Sequence, residues 1–184
     1  MFESIGTKNL SLNPFEKIGS EKMLITASDQ TGCNTMTASW GTMGTLWNKP
    51  VVTAYVRPSR YTHDFTETGD IVSFSFFTPG HVTYPDGKTE LIESDKIKKI
   101  FSICGTKCGR NTDKIALCHL TPLRHPCGAV YFEESSLVII GKKLYSDEIK
   151  SERFVDESCS GCYANDDFHT FYVYEVIDIL RRIE

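Results

Sequence analysis

The sequence predicts a mainly β fold, a β-barrel with a few peripheral helices, and three observations carry that expectation. Short runs rich in β-branched and aromatic residues recur along the chain, Gly, Asn, Pro and Asp punctuate them, and only two stretches show helical spacing. Strands of this kind must bury apolar faces, and with so few helices a second sheet or barrel closure has to cover them. The 184 residues suit one domain over 1–184, because no repeat, low-complexity tract or Ser/Gly/Pro linker marks a boundary.

In chain order, residues 23–28, 35–40, 51–56 and 71–77 read as strands. A later group at 129–132, 137–145 and 168–183 has the same character. The stretch FHTFYVYEVIDIL is too dense in β-branched and aromatic residues to favour helix. Trp40 and Trp47 flank GTMG, read as a Gly-rich turn, and such tryptophans serve by default as core or interface aromatics. A short helix is expected from near Tyr61 to Gly69. A longer one is capped by Ser94, carries Ile97, Ile100, Phe101 and Cys104 at i, i+3, i+4 and i+7, and ends at Gly105. Between them, residues 77–93 contain Pro79-Gly80 and Pro85-Asp86-Gly87, the turn signals of a loop or small hairpin over the barrel mouth.

A net charge of -4 makes nucleic acid and anionic lipid poor partners, so an anionic ligand needs a local basic cluster. The start, MFESIGTKNLSLNPFEKIG, lacks a basic segment followed by an apolar one, and no stretch approaches the ~18 apolar residues of a membrane span. A cytoplasmic protein without membrane contact is the expectation. The seven cysteines are odd in number and unevenly spaced, which suits reduced thiols rather than a disulfide framework.

The richest chemistry lies in Arg57-Pro58-Ser59-Arg60-Tyr61-Thr62, where a strand ends and a helix begins. Two guanidinium groups, hydroxyls and the free N–H groups of a first helical turn can cradle a phosphate dianion; the bland alternative is a solvated basic turn. Upstream, Thr35, Thr37 and Ser39 alternate along a strand and share one face, either lining a cleft or facing solvent. Of the five histidines, His119 and His169 read as core or surface residues, while His63 stands close enough to the basic turn for a secondary contact.

At these residues the chain resembles a known family. NTMTASWGTMGTLWNKPVVTAYVRPSRYTHDF is similar to the flavin-reductase-like, FMN-binding split-barrel proteins, which include flavoredoxins and NAD(P)H:flavin oxidoreductases. The likeness continues in SFSFF from Ser73, in CGTKCGRNTDK from Cys104, in VYFEE from Val130 and in DFH from Asp167. It implies a homodimer of Greek-key split barrels with flavin mononucleotide (FMN) near the subunit interface and NAD(P)H as co-substrate. Thr37, Ala38, Ser39 and Trp40 would then lie along the flavin. Arg57, Ser59, Arg60 and Thr62 would surround its phosphate, with Gly109, Arg110 and Lys114 near the cofactor or the facing subunit. Cys108 and Asn111 depart from the family pattern, which has Ser and Asp there, and a thiol is the weaker donor. The implied chemistry is hydride transfer to the flavin and electron delivery onward, which needs position more than side-chain catalysis.

Other readings stand beside it. A flavoredoxin-like carrier would take electrons from a redox partner protein instead of a nicotinamide. Cys104 and Cys108 with Cys159 and Cys162 could hold zinc or an iron–sulfur cluster, although one CxxC plus one CxxxC is a weak pattern, and Cys159/Cys162 could be a redox pair. No local signature marks a cysteine-hydrolase nucleophile.

Overall fold

The computed structural model describes residues 1–183, residue 164 by its backbone alone. Its strands are β1 (Phe2–Ser4), β2 (Met23–Ser28), β3 (Cys33–Ala38), β4 (Gly41–Leu46), β5 (Lys49–Val56), β6 (Ile71–Phe76), β7 (Gly80–Thr83), β8 (Thr89–Ile92), β9 (Pro122–Arg124), β10 (Val130–Phe132), β11 (Leu137–Glu148) and β12 (Thr170–Arg182). The helices are α1 (Tyr61–Thr68), α2 (Ser94–Thr106) and α3 (Lys114–Leu117). The fold is mainly β, as expected. One large antiparallel sheet runs β3-β2-β6-β11-β12-β5-β4, with β1 added beside the far end of β12.

The order of that sheet explains its closure. β3 and β4 are its two outer strands, yet they are consecutive in the chain and joined only by Ser39 and Trp40. The three Cα steps from Ala38 to Gly41 reach at most ~11 Å, so the sheet must curl until its edges come close. No ladder joins β3 to β4 among the described residues, and the barrel is split along that line.

Alternation along β2 shows how both faces of the sheet are covered. Met23, Ile25 and Ala27 enter the barrel core with Val52, Ala54, Phe74, Phe76, Ile139, Tyr172 and Tyr174. Leu24 points the other way, into a second core with Val82, Ile92, Ile97, Ile100, Phe101, Cys104, Cys118 and Phe132. The i, i+3, i+4, i+7 residues of α2 are thus its buried stripe.

Several expectations shift. GTMG is not a turn but lies within β4; the reversal falls on Trp47 and Asn48, whose φ values of 51° and 58° are those a two-residue hairpin loop needs. Ser94 is the first helical residue of α2 rather than its cap, Glu93 holds the cap position without a side-chain hydrogen bond, and the helix runs through Gly105 to Thr106. Residues 77–93 do form a hairpin, β7–β8, but it packs into the second core beside α2.

Candidate functional site

The split between β3 and β4 opens onto two adjoining cavities that share Ser39, Trp40 and Tyr55. One, of about 530 Å³, is walled mainly by apolar groups, among them Pro14, Phe15, Ile18 and Met43. The other, of about 220 Å³, is lined by Met36, Thr37, Ala38, Arg57, Arg60 and His169 as well as the shared residues. An apolar chamber thus adjoins one that holds two arginines, an arrangement that offers an apolar wall beside donors for an anionic group. The larger cavity, at about 530 Å³, falls within the ~300–1,000 Å³ of small-molecule sites, and the smaller, at about 220 Å³, extends it.

Thr37, Ala38, Ser39, Trp40, Arg57 and Arg60 are therefore brought together. The polar row they were read from divides. Thr35 is fully buried and hydrogen-bonded to Thr26 at 3.0 Å, and the Thr37 hydroxyl donates to the Phe101 carbonyl of α2 at 2.7 Å. Of this row, Thr37 and Ser39 reach the cavity and Thr35 does not.

The basic turn is held from two sides. Arg60 Nη1 donates to the Gly105 carbonyl at the end of α2 (2.7 Å). Arg57 Nη2 donates to the Cys162 carbonyl (2.9 Å), and its guanidinium stacks 5.1 Å from the centre of the Tyr163 ring. Asp167 faces the same turn: its carboxylate accepts from Ser59 Oγ at 2.6 Å and from Ser59 N at 3.3 Å, and lies 3.8 Å from Arg57. The two donors that Ser59 would offer a phosphate are thus engaged by a carboxylate of the chain.

His169, which the sequence left among core or surface histidines, lines the cationic cavity and bonds through Nδ1 to the Tyr163 hydroxyl at 3.0 Å. Burial, and then the positive charge of Arg57, push its pKa down to about 4. The imidazole is neutral at pH 7. Tyr55, Asp167 and Tyr163 were also missed as site residues; the only sequence signal for Asp167 and His169 was the DFH stretch of the resemblance.

The remaining candidates cluster behind the turn or leave it. Ser59, Arg60, Thr62, Gly109 and Lys114 line a small hollow of about 70 Å³. Thr62 is fully buried and its hydroxyl accepts from Asn34 Nδ2 at 2.7 Å, so it ties α1 to β3. Gly109 lies so close that an added Cβ would fall 2.1 Å from Asn34 Oδ1. Lys114 is buried, donates to the Thr35 carbonyl, and burial lowers its pKa. Arg110 points away, bonded to Asp64 at 2.6 Å and stacked over Tyr61. His63 bonds to Thr170 at 3.1 Å and lines neither cavity. Among the described residues no three His, Cys, Asp or Glu side chains gather as metal ligands, and Cys104 approaches Cys118 rather than Cys108.

The chain has the fold of the flavin-reductase-like, FMN-binding proteins. An FMN-binding domain of a flavin-reductase-like enzyme from Shewanella baltica superposes over 98% of this chain and 77% of its own, with a TM-score of 0.63 at 12% identity. A flavoredoxin from Methanosarcina acetivorans matches over 86% and 67% (TM-score 0.60, 19% identity), and an NADH:FAD oxidoreductase from Streptomyces globisporus over 91% and 79% (TM-score 0.61, 15% identity). By sequence, no family model and no curated protein matches the chain.

Proposed function

We propose that the chain binds FMN across the two cavities and acts as an NAD(P)H-dependent flavin oxidoreductase. The observation that carries this reading is the joining of an apolar chamber to a cavity holding Arg57 and Arg60 at the seam of this fold. The solved structures that share the fold include proteins named for binding FMN or reducing flavin.

The residues present fit the group. Trp40 and Tyr55 would border the ring system at the seam, while Arg57 and Arg60 would hold the phosphate, each already oriented by a backbone carbonyl. One group opposes it: the Asp167 carboxylate must yield the Ser59 donors, or the phosphate must sit beside it. When bound, the flavin supplies two-electron hydride chemistry. The protein's part is to orient it, to exclude water with the apolar wall from Pro14 to Ile18, and to keep His169 neutral so that it adds no further positive charge. We assign the molecule to a homodimer on the same reading, supported by the exposed aromatic surfaces of Phe15, Trp40 and Trp47.

The test begins with the visible spectrum of the purified protein and titration with FMN and riboflavin. Arg60→Ala should weaken FMN roughly ten- to hundredfold, the range of a lost charged hydrogen bond, and change riboflavin little. Colourless protein with no affinity for either flavin ends the proposal. Rapid mixing with NADH and NADPH then separates an enzyme, whose flavin band bleaches, from a carrier reduced only by a partner protein.

A further inference from the structure

We propose that Cys104 and Cys118 form a redox-active dithiol that exchanges with small anionic disulfides through a cavity on the α2 side of the molecule. The proposal does not rest on the flavin reading. The two sulfurs lie 3.9 Å apart in the second core, one on the buried stripe of α2 and the other at the C-terminal cap of α3. The chain is turned to bring them together: Asp113 caps α3 by accepting from Ala116 N at 3.0 Å, and His119, with φ 52°, reverses direction immediately after Cys118.

Their surroundings divide the roles. Cys104 is fully buried; Cys118, itself only 5% exposed, lines the wall of a cavity of about 560 Å³ with Lys88, Glu90, Lys96, Lys99 and His119. In that cavity Lys96 is paired with Glu90 at 2.8 Å, and Asp95 with Lys98 at 3.0 Å. The ammonium groups of Lys88 and Lys99 are left without an ion pair among the described residues, so the cavity favours an anionic visitor. The contact between the two thiols and then burial raise the Cys104 thiol above its ordinary range, while the same contact, with the charges of Lys114 and Lys99, outweighs burial and holds Cys118 below it. Because the cavity reaches Cys118 and Cys104 lies behind it, Cys118 is the nucleophile and Cys104 the resolving thiol.

The chemistry balances without a metal or cofactor. Cys118 thiolate attacks one sulfur of R–S–S–R, forming a Cys118–S–S–R bond and releasing R–S⁻. Cys104 then gives up its proton, attacks the Cys118 sulfur and expels the second R–S⁻. The dithiol loses two electrons to the incoming disulfide, and its two protons end on two molecules of R–SH.

The probe is glutathione disulfide, which is anionic, set against neutral hydroxyethyl disulfide. After exposure of the native chain, non-reducing tryptic mapping should show residues 100–107 linked to residues 115–124. Cys104→Ser should instead trap glutathione on residues 115–124. At low salt Lys99→Glu should slow reaction with glutathione disulfide by at least about threefold more than it slows reaction with the neutral probe, because a weaker Cys118 thiolate slows both while the new carboxylate repels only the anionic disulfide. If the linked peptides are absent once the exposed Cys108 is fully modified, the pair is packing alone and the proposal fails, whether or not Cys104→Ser folds. Equal slowing of both probes by Lys99→Glu, or no slowing of either, overturns the anionic class of substrate.

Discussion

Asp167 sets the residue-scale behaviour of the basic turn, because a carboxylate bonded to Ser59 beside Arg57 competes for the place of any bound anion. Replacing it with Asn removes the charge and keeps the shape. Asp167→Asn should therefore tighten FMN binding roughly two- to fivefold, the scale of a partly exposed ion pair, without affecting riboflavin; isothermal titration of both ligands measures it. His169 gives a second prediction. An unfolded chain protonates this side chain near 6.5, whereas the folded one holds it neutral down to about 4. Between those values the unfolded state binds the extra proton, so stability is lost as pH falls through that window. Urea unfolding at pH 5 and pH 7 should show that loss, and His169→Gln should reduce it.

At the scale of elements, most of the architecture was legible because it follows from alternation and periodicity. The buried stripe of α2, the β2, β5 and β6 strands and the long final strand all emerged from the pattern of apolar residues. The misreadings have local causes. Two glycines in GTMG suggested a turn, but the hairpin reverses on Trp47-Asn48, where non-glycine residues adopt the left-handed conformation. The β7–β8 hairpin was foreseen, whereas its docking beside α2 depends on long-range contacts that no local spacing encodes. For the site, Arg57, Arg60 and the Thr37 to Trp40 stretch could be found from residue type and resemblance. Asp167 and His169 join them across more than a hundred residues, and nothing in their local sequence points to that turn. The bulged strand β11 carries its own prediction. A Cβ at Gly141 would lie 2.7 Å from Tyr174 Cβ, so Gly141→Ala should cost about 1–3 kcal/mol through overpacking, read as a lowered midpoint in thermal or urea unfolding.

At the scale of the whole molecule, the sheet closes on itself while α2, α3 and β7–β8 build a second core outside it. No helix among the described residues is long and apolar enough to cross a membrane. A ligand that spans both sides of the seam binds the closed barrel and not the unfolded chain. Saturating FMN should therefore raise the unfolding midpoint, with stabilisation of about 2.7 kcal/mol at a hundredfold excess over Kd. Sedimentation with and without FMN checks the homodimer.

The two-residue link between β3 and β4 also bears on how such a protein can vary. Where a ladder stops, main-chain N–H and C=O groups are left facing outward, and every residue type except proline offers the same pair. Contacts made by that exposed edge are indifferent to which side chains flank it. A seam of this kind can keep its shape while the sequence around it turns over, in keeping with a fold shared at 10–19% identity.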